Sequence, residues 1–277
     1  MNCVAPSTQN WQAYLELKLT AGQHKTGLVP IKRYGPLSVQ RPFYPEQDVC
    51  HVYLLHPPGG VVGGDELELQ VDLEPQAKAL FTTPGATKFY LSAGLTAQVK
   101  QCLNVQQQSE LEYLPQDNIY FPGSLVNAKT SLSVAEDSSA IVWEKHCFGR
   151  PANNEVYLTG KVITEFEVRC EGKLLFTEKQ RIDAAEIKRA SGLRGFAVMG
   201  AMLVYSDRIT RNLLDDLREV APQGGISGIT QPIEKLLVVR YMGASTVVVN
   251  DYFIQCLELL RPVILQKEIC RPRIWAT

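Results

Sequence analysis

Apolar and polar residues alternate along much of the first two-thirds of the chain. Between Trp11 and Leu19 every odd position is apolar, and between Glu66 and Glu74 leucine or valine occupies every second position. The segment 162–170 repeats the pattern, with charged residues at most of the intervening positions. Because successive side chains of a strand point to opposite faces, this alternation predicts strands with one buried face.

Shorter apolar segments separated by turn-forming residues predict further strands. Glycine and proline interrupt the pattern at short intervals, as in Tyr34-Gly35-Pro36 and Pro122-Gly123. Helical periodicity is not found before about residue 183, so helices that would connect parallel strands are not expected. The pattern therefore favours an antiparallel, mainly β body. The predicted segments are 49–55, 77–82, 97–105, 119–121, 131–134, 140–143, 156–158 and 174–176.

The last third of the chain changes to helical spacing, with apolar residues at every third or fourth position. The predicted helices cover about 184–190, 209–220 and 245–260, and 235–242 is predicted to be a strand. Ser206 or Asp207 is suited to cap the second helix. Pro262 is expected to stop the third helix, because the proline ring interrupts the helical hydrogen bonds.

Length and charge limit the classes of function. No linker or low-complexity segment divides the 277 residues, so we expect one domain with a β body over about 1–205 and an α/β cap over about 206–277. The 28 Lys and Arg residues nearly balance the 29 Asp and Glu residues. This balance excludes a sequence-wide polycation that binds nucleic acid or an anionic membrane surface. No apolar segment is long enough to cross a membrane, and residues 1–10 do not resemble a signal peptide.

Seven cysteines and four histidines raise the question of a metal site. They lack CxxC, HxxxH and zinc-finger spacings, so the sequence does not support a structural zinc site. Dispersed cysteines are typical of proteins in a reducing compartment, and we therefore expect a cytoplasmic protein.

The most unusual segment is 56–65, with the sequence HPPGGVVGGD. Gly59 and Gly64 have the glycine spacing of a phosphate-binding P-loop, but an acidic residue stands where that loop requires lysine. The pairs Gly59-Gly60 and Gly63-Gly64 instead predict a tight strand–loop–strand connection that needs positive φ angles. They also suggest that another backbone or a ligand approaches the loop closely.

A second motif is TTPGATKFY at 82–90, which follows the next predicted strand. Pro84 and Gly85 are suited to the centre of a type II turn, which needs a positive φ at its third residue. The threonines would give this turn a polar surface.

Five carboxylates are candidates for acid–base chemistry: Asp65, Glu112, Asp117, Glu144 and Glu178. The last two follow apolar residues in predicted strands, where burial would shift their pKa. The alternative is that they lie on solvated strand faces. No GxSxG motif is present, and no histidine has a recognisable serine or cysteine partner. A carboxylate-based hydrolase of β-barrel type with an unknown substrate, and a carbohydrate-binding β-sandwich, are alternatives with less support.

The two motifs are highly specific in combination with three further segments. QRPFYPE at 40–46 precedes HPPGGVVGGD at 56–65 and TTPGATKFY at 82–90, and LRP at 260–262 and PRIW at 272–275 follow them. This collinear arrangement spans nearly the whole chain and resembles the UreD (also UreH) family of urease accessory proteins.

The resemblance implies a scaffold for urease maturation and not an enzyme. Proteins of this family resemble β-rich solenoids with C-terminal helices. The expected fold class is therefore mainly β, a solenoid-like or sandwich-like body of many short strands with a small C-terminal helical cap. The expected partners are a UreF-type accessory protein, a UreG-type GTPase bound through it, and the urease apoprotein. Nickel is expected in transit, with no cofactor bound permanently.

The resemblance also gives three of the carboxylates a role. A route for a divalent cation needs oxygen ligands that bind weakly enough to release it. Asp65, Glu144 and Glu178 fall in the family's motif regions, and we expect them to line a water-filled passage for nickel. The alternative is that they form buried ion pairs with Arg150 or Arg181 and hold strands in register.

Interface residues are not predicted by the resemblance. The helices 209–220 and 245–260 could bind the UreF-type partner or could pack only on the β body. Two turns also depart from the family's usual sequence. Ala152-Asn153-Asn154-Glu155 replaces an Ala-x-Gly-Glu turn, which is expected to survive because asparagine tolerates positive φ. Cys170-Glu171-Gly172 replaces an Arg-Asp-Gly hairpin, and Cys170 is not expected to bind nickel.

Overall fold

The computed structural model describes residues 11–276, and most of its regular elements are strands. Residues 1–10, which were not expected to form a signal peptide, lie outside the described residues. The strands are β1 (Gln12–Ala21), β2 (Thr26–Tyr34), β3 (Ser38–Val39), β4 (Cys50–Leu55), β5 (Glu66–Leu73), β6 (Lys78–Thr82), β7 (Thr87–Phe89), β8 (Ala97–Val105), β9 (Glu110–Tyr113), β10 (Asn118–Tyr120), β11 (Leu125–Val134), β12 (Ser139–Arg150), β13 (Glu155–Val156), β14 (Lys161–Cys170), β15 (Lys173–Ile182), β16 (Val198–Tyr205), β17 (Ile226–Ile233) and β18 (Leu236–Gly243). The helices are α1 (Ala184–Lys188), α2 (Arg211–Glu219) and α3 (Thr246–Ile264). The expected mainly β fold with few helices is confirmed.

The strands form two sheets that pack against each other. The first sheet has seven strands in the order β15-β14-β11-β8-β5-β1-β2. The second has eleven, with the main order β17-β18-β16-β12-β9-β6-β4-β3. The short strands β10 and β13 pair with β12, and β7 pairs with β10. Buried aliphatic and aromatic side chains from both sheets form one cluster between them. The strands β17 and β18 of the expected cap thus continue the second sheet, because β18 pairs with β16.

Neighbouring strands in the middle of both sheets are parallel, so the chain forms stacked coils. In the first sheet β1, β5, β8, β11 and β14 run parallel, and in the second β4, β6, β9 and β12 do so. The solenoid-like expectation is confirmed, but the expected antiparallel body is wrong. A parallel pair needs a long crossover, usually a helix. Here the crossover between β4 and β6 is β5, a strand of the opposite sheet, so no helix is needed.

The three alternating segments of the sequence are strands of the first sheet. In β1, β5 and β14 every second residue is buried against the second sheet. Trp11 departs from the pattern, because it precedes β1 and is 52% exposed. Because only one face of each strand is buried, these strands can be predicted from the alternation of apolar and polar residues.

Several strands lack a period-2 signal, among them β2, β16 and β17. The edge strands β2 and β17 are mostly exposed on both faces, and Pro30 of β2 lies at an irregularity in its pairing with β1. An edge position tolerates proline because its N–H is not required by a neighbour. The strand β16 is buried on both faces, with α3 on one side, so all but one of its residues are buried.

The predicted helices are present, with corrected ends. The cap of α2 is Thr210, whose Oγ1 accepts a hydrogen bond from Leu213 N at 3.2 Å, and not Ser206 or Asp207. Ser206 is turned into the body, where its Oγ lies 2.9 Å from Ser139 Oγ. As expected, α3 begins after Ser245, whose side chain caps it.

The helix α3 continues through Pro262 to Ile264, so the expected stop before Pro262 is wrong. Pro262 has no N–H to donate, so the helix loses one hydrogen bond in its final turn. That final turn is also anchored: Leu265 N donates to Arg261 O at 2.9 Å, and the Arg261 side chain is fixed in the β body.

One face of α3 packs on the outer face of the second sheet. Its buried residues include Val249, Phe253 and Leu257, which join an apolar cluster with residues of β12, β16 and β18. A Cβ at Gly200 of β16 would lie only 2.9 Å from both the Phe253 and Val249 side chains, so glycine permits this close approach. The apolar face of α3 is thus largely used within the chain. Among residues 11–276, no helix is long and apolar enough to span a membrane.

Candidate functional site

The glycine loop 56–65 connects β4 to β5 without any helix. Gly59 and Gly64 have φ angles of 77° and 93°, in the region that favours glycine. A Cβ at Gly60 would collide with the Tyr90 ring, and one at Gly63 would collide with the Ser92 side chain and a neighbouring carbonyl. The expectations of a tight connection and of close approach by another part of the backbone are therefore confirmed.

The Pro84-Gly85 segment is a bend and not the expected type II turn. Gly85 does not have a positive φ in the left-handed region, and a Cβ there would have no neighbour within 4 Å. The bend is held by its threonines instead. Thr83 Oγ1 donates to Gly85 O at 3.0 Å and accepts from Gln116 N at 2.9 Å. Thr82 Oγ1 likewise donates to a carbonyl oxygen, at 2.7 Å.

Asp65 fixes the end of the glycine loop. Asp65 is 2% exposed. Its carboxylate accepts hydrogen bonds from Trp11 N at 3.0 Å and Val62 N at 2.9 Å. His56, at the other end of the loop, is half-buried, and burial lowers its pKa while the nearby Asp65 charge opposes that shift. These contacts connect the loop to the start of β1.

Two cavities lie between the sheets, one toward β17 and the other toward the glycine loop. The β17-side cavity, of about 280 Å³, is lined by β12 and by β14 to β18 and includes Glu144, His146, Glu178 and Arg240. The loop-side cavity, of about 260 Å³, is lined by the glycine loop and by β1, β4, β5, β8 and β9, and it also includes Glu144. Glu144 of β12 is therefore the one described residue that borders both cavities.

A row of polar side chains crosses the interior at Glu144. The Tyr113 hydroxyl donates to Gln101 Oε1, and Gln101 Nε2 donates to Thr130 Oγ1 at 3.1 Å. Thr130 Oγ1 of β11 donates to Glu144 Oε1 of β12. On the other side, Glu144 Oε2 lies 3.4 Å from His146 Nε2. The row provides polar groups in an otherwise largely apolar interior.

Glu178 lies in the same cavity as Glu144 but has a different partner. Arg240 of β18 donates to Glu178 Oε2 through Nε at 3.2 Å and also through Nη2. The alternative of ion pairs with Arg150 or Arg181 is wrong as to these partners, because both arginines bind acidic residues close to them in sequence. The structure thus brings Glu144 and Glu178 to one cavity, whereas Asp65 is not among the residues of either lining.

The match to a known family covers nearly all of the described residues. The family model described as UreD urease accessory protein matches residues 12–276. The chain belongs to the UreD family.

Relatives named Urease accessory protein UreD align along nearly the whole chain. The relative from Alcanivorax borkumensis is 41% identical, over 97% of this chain and 93% of its own length. The relative from Citrobacter koseri is 40% identical over 98% of this chain and 93% of its own length. The relative from Klebsiella aerogenes is 38% identical over 98% of this chain and 99% of its own length.

Two residues that line the β17-side cavity of this UreD family member, His146 and Arg240, are not predicted from the sequence as site residues. His146 alternates with Glu144 on β12 and faces the same cavity, but a single histidine in an apolar strand is usually a core residue. Arg240 meets Glu178 only because β18 and β15 border the same cavity from opposite sheets. The i, i+2 spacing of Glu144 and His146 was the one available signal, since it places both side chains on one face of a strand.

A second cluster of polar residues lies at the end of α3. Glu46, His51 and Cys270 place potential metal ligands within 4.8 Å of one another. The buried Arg261 already binds there, with Nη2 2.8 Å from Glu46 Oε2 and 2.9 Å from Glu112 Oε2. Burial raises the pKa of Glu112, and the Arg261 charge opposes that shift. Because a guanidinium occupies both carboxylates, we interpret the cluster as an ion-pair network that fixes α3 to the β body.

The candidate Asp117 is also part of a buried pair behind the cavities. Its Oδ1 lies 3.5 Å from Lys145 Nζ, which in turn donates to Asn250 Oδ1 of α3 at 2.8 Å. Burial raises the pKa of Asp117 and lowers that of Lys145, while their mutual attraction opposes both shifts. Lys145 therefore connects β12 to α3 on the face of the strand opposite to Glu144 and His146.

The two turns that depart from the family's usual sequence keep their function as turns. Asn154 has a φ of 58°, as expected for a residue that replaces glycine. Glu171 and Gly172 both have positive φ angles, of 48° and 78°, and connect β14 to β15. The hairpin thus forms with glutamate in a left-handed conformation.

Proposed function

We propose that this chain is an accessory factor for urease maturation that bridges the urease apoprotein and a UreF/UreG-type complex. In this role it helps pass nickel ions to the urease active site, so that nickel is its cargo and no cofactor is bound permanently. It acts in the cytoplasm as one domain and as a scaffold, not as an enzyme. Its membership of the UreD family supports the accessory role.

The observation that best supports nickel transfer is the position of Glu144. The two cavities together extend between the sheets from the glycine loop to β17, and Glu144 lines both. A carboxylate at such a point can bind a divalent cation that arrives from one cavity and release it into the other.

Glu178 is the next oxygen ligand along the proposed passage. Arg240 neutralises its charge, which weakens the attraction for a cation and so favours release over retention. Asp65 has another role in this proposal. Its two hydrogen bonds to backbone N–H groups hold the glycine loop, which borders the loop-side cavity.

Exposed apolar side chains near the glycine loop support the binding of protein partners. Leu91 is 70% exposed and Leu158 62% exposed, and Val62 and Leu95 are also exposed. Single exposed apolar residues are common, but several near one loop are typical of protein interaction surfaces.

Co-expression tests the proposed function as a whole. Urease subunits are expressed with a UreF-type protein and a UreG-type GTPase, with or without this chain. Without the chain, we expect urease with little nickel and little activity, measured by metal analysis and urea hydrolysis. Nickel-loaded, fully active urease in its absence would contradict the proposal, as would hydrolysis of any substrate by the purified chain that depends on Glu144.

The variant Glu144→Gln tests the passage separately. The amide keeps an oxygen that accepts from Thr130, so the fold is retained while the negative charge is lost. We expect a lower nickel content of urease at limiting nickel, with normal assembly of the accessory complex. Glu165→Gln is the matched control, because Glu165 lies on β14 and pairs with Lys129 and Lys179 and is not among the residues of either cavity lining. A wild-type nickel content for Glu144→Gln would exclude this residue from the passage.

A further inference from the structure

His146 presents a nitrogen atom beside Glu144, the residue that borders both cavities. It is 4% exposed and lines the β17-side cavity together with Glu144 and Glu178. Its Nε2 lies 3.4 Å from Glu144 Oε2. This separation is wide for a strong hydrogen bond, but it suits two atoms that bind one ion from adjacent positions of its coordination shell.

Tyr120 holds the other side of the imidazole ring. Its hydroxyl lies 3.0 Å from His146 Nδ1, and the two rings stack at 5.9 Å. Tyr120 is itself completely buried and stacks on Phe89 and Phe148. A hydroxyl oxygen that accepts from Nδ1–H leaves Nε2 unprotonated and able to bind a metal, which is the usual arrangement of a histidine ligand and its supporting partner.

Nitrogen and oxygen ligands discriminate between divalent cations. Magnesium and calcium prefer oxygen ligands, whereas an imidazole suits nickel, copper and zinc. A passage lined only with carboxylates would therefore admit the hard cations as readily as nickel.

We infer that His146 and Glu144 together form a transient binding site for nickel, in which the His146 nitrogen provides selectivity over magnesium and calcium. Tyr120 is a positioning residue for this site. The inference rests on the proposed function, since it concerns the cation that the passage admits.

Two variants of His146 separate its two nitrogen atoms. In His146→Asn the amide replaces Nδ1 and keeps the contact with Tyr120, but nothing replaces Nε2. In His146→Gln the amide oxygen lies near the position of Nε2, so an oxygen ligand replaces a nitrogen. Nickel binding to the purified full-length chain is measured by equilibrium dialysis, with and without excess magnesium chloride.

We expect His146→Asn to weaken nickel binding by about tenfold or more, on the scale found when the surroundings of a metal are disturbed. His146→Gln is expected to lose most of the preference for nickel over magnesium. Tyr120→Phe should weaken nickel binding while leaving the identity of the preferred metal unchanged. The control His24→Asn changes an exposed histidine in the loop after β1 and should have no effect.

A double-mutant cycle shows whether Glu144 and His146 bind the same ion. If they do, Glu144→Gln should weaken nickel binding much less in the His146→Asn background than in the wild type. Additive effects would contradict a shared site. Wild-type nickel affinity and selectivity in both His146 variants, or no nickel binding by the wild-type chain at millimolar nickel, would overturn the inference.

The co-expression system distinguishes this inference from the proposed function. If deletion of the chain abolishes urease activation but His146→Asn supports full nickel loading at limiting nickel and high magnesium, only the role of His146 is contradicted. If deletion has no effect, the proposed function itself is wrong.

Discussion

At the scale of single residues, Arg261 is a buried charged side chain that connects distant parts of the chain. It lies near the end of α3 and is 1% exposed. It binds Glu46 from the segment before β4 and Glu112 from β9, and it also donates to the Glu268 carbonyl. A buried guanidinium with several partners is stable only as a complete network, because removal of one member leaves buried charge without compensation.

We therefore expect Arg261→Met to destabilise the chain by about 3–5 kcal/mol, because it leaves Glu112 buried without a counter-ion. The free energy of unfolding is measured by urea denaturation. The control is Arg271→Met, which removes an exposed pair with Glu258 and should cost less than about 1 kcal/mol. Equal losses in the two variants would show that the Arg261 network adds nothing beyond a surface ion pair.

The limits of sequence reasoning are clear at these positions. Glu144 and Glu178 were identified because a carboxylate among apolar strand residues is unusual and visible in the sequence. The partner of Glu178 was not, since Arg240 is 62 positions away, and the same holds for Glu112, whose partner Arg261 is 149 positions away. Local sequence carries no signal of such contacts, so the alternative partners Arg150 and Arg181, which are the arginines nearest to Glu144 and Glu178 in sequence, are wrong.

At the scale of elements, ion pairs connect the strands at one end of the first sheet. Lys129 of β11 and Lys179 of β15 both bind Glu165 of β14, which lies between them. Their hydrogen bonds hold the pKa of Glu165 at about 2, below its ordinary value of 4.5. A carboxylate with a lowered pKa stabilises the fold above its unfolded-state pKa, and this contribution is lost as the pH falls toward the folded-state value.

The expected consequence is a pH-dependent effect of Glu165→Gln. At pH 7 the variant should be less stable by up to about 1 kcal/mol, as is usual for exposed pairs. The difference from the wild type should decrease as the pH falls below about 4.5 and disappear near pH 2. Unfolding curves across this range test it. Glu219→Gln, at the exposed end of α2, is the control, and a difference that is independent of pH would contradict the assignment.

The glycine loop offers a second prediction at this scale. In Gly60→Ala the new methyl group collides with the Tyr90 ring, so we expect a loss of about 1–3 kcal/mol from overpacking. Gly85→Ala is the matched control, because its methyl group meets nothing within 4 Å and its φ is not left-handed. This control should change stability by no more than about 0.5 kcal/mol. Thermal unfolding compares the two variants, and similar effects would mean that the contact with Tyr90 is unimportant.

At the scale of the whole molecule, the solenoid has an interior and an exterior with different properties. Inside, Glu144 borders both cavities between the sheets. Outside, α3 uses its apolar face against the second sheet, whereas apolar side chains near the glycine loop remain exposed. The apolar face of α3 is therefore covered within the chain, whereas the apolar side chains near the glycine loop are not.

We expect the isolated chain to self-associate through this exposed surface. The double variant Leu91→Ser/Leu158→Ser should self-associate less at the same concentration, with an unchanged free energy of unfolding, because both side chains are exposed. Sedimentation velocity over a range of concentrations measures the change. Leu174→Ser, on β15, is the control. A freely soluble wild-type monomer at high concentration would contradict the prediction.

The sequence by itself determined the class of the fold and the family. Alternation identified β1, β5 and β14 because each has one buried face, and the motifs around the glycine loop were specific enough to indicate the UreD family. The sequence also identified Glu144 and Glu178, because charge is rare in apolar strands.

Only the tertiary structure decided how these parts are arranged. The period of a strand is the same in parallel and antiparallel sheets, so alternation could not reveal that the strands form stacked coils. The coils place β11 opposite β12, which brings Thr130 to Glu144 between the sheets. Contacts between residues distant in sequence depend on the packing of the two sheets, and local patterns do not record that packing.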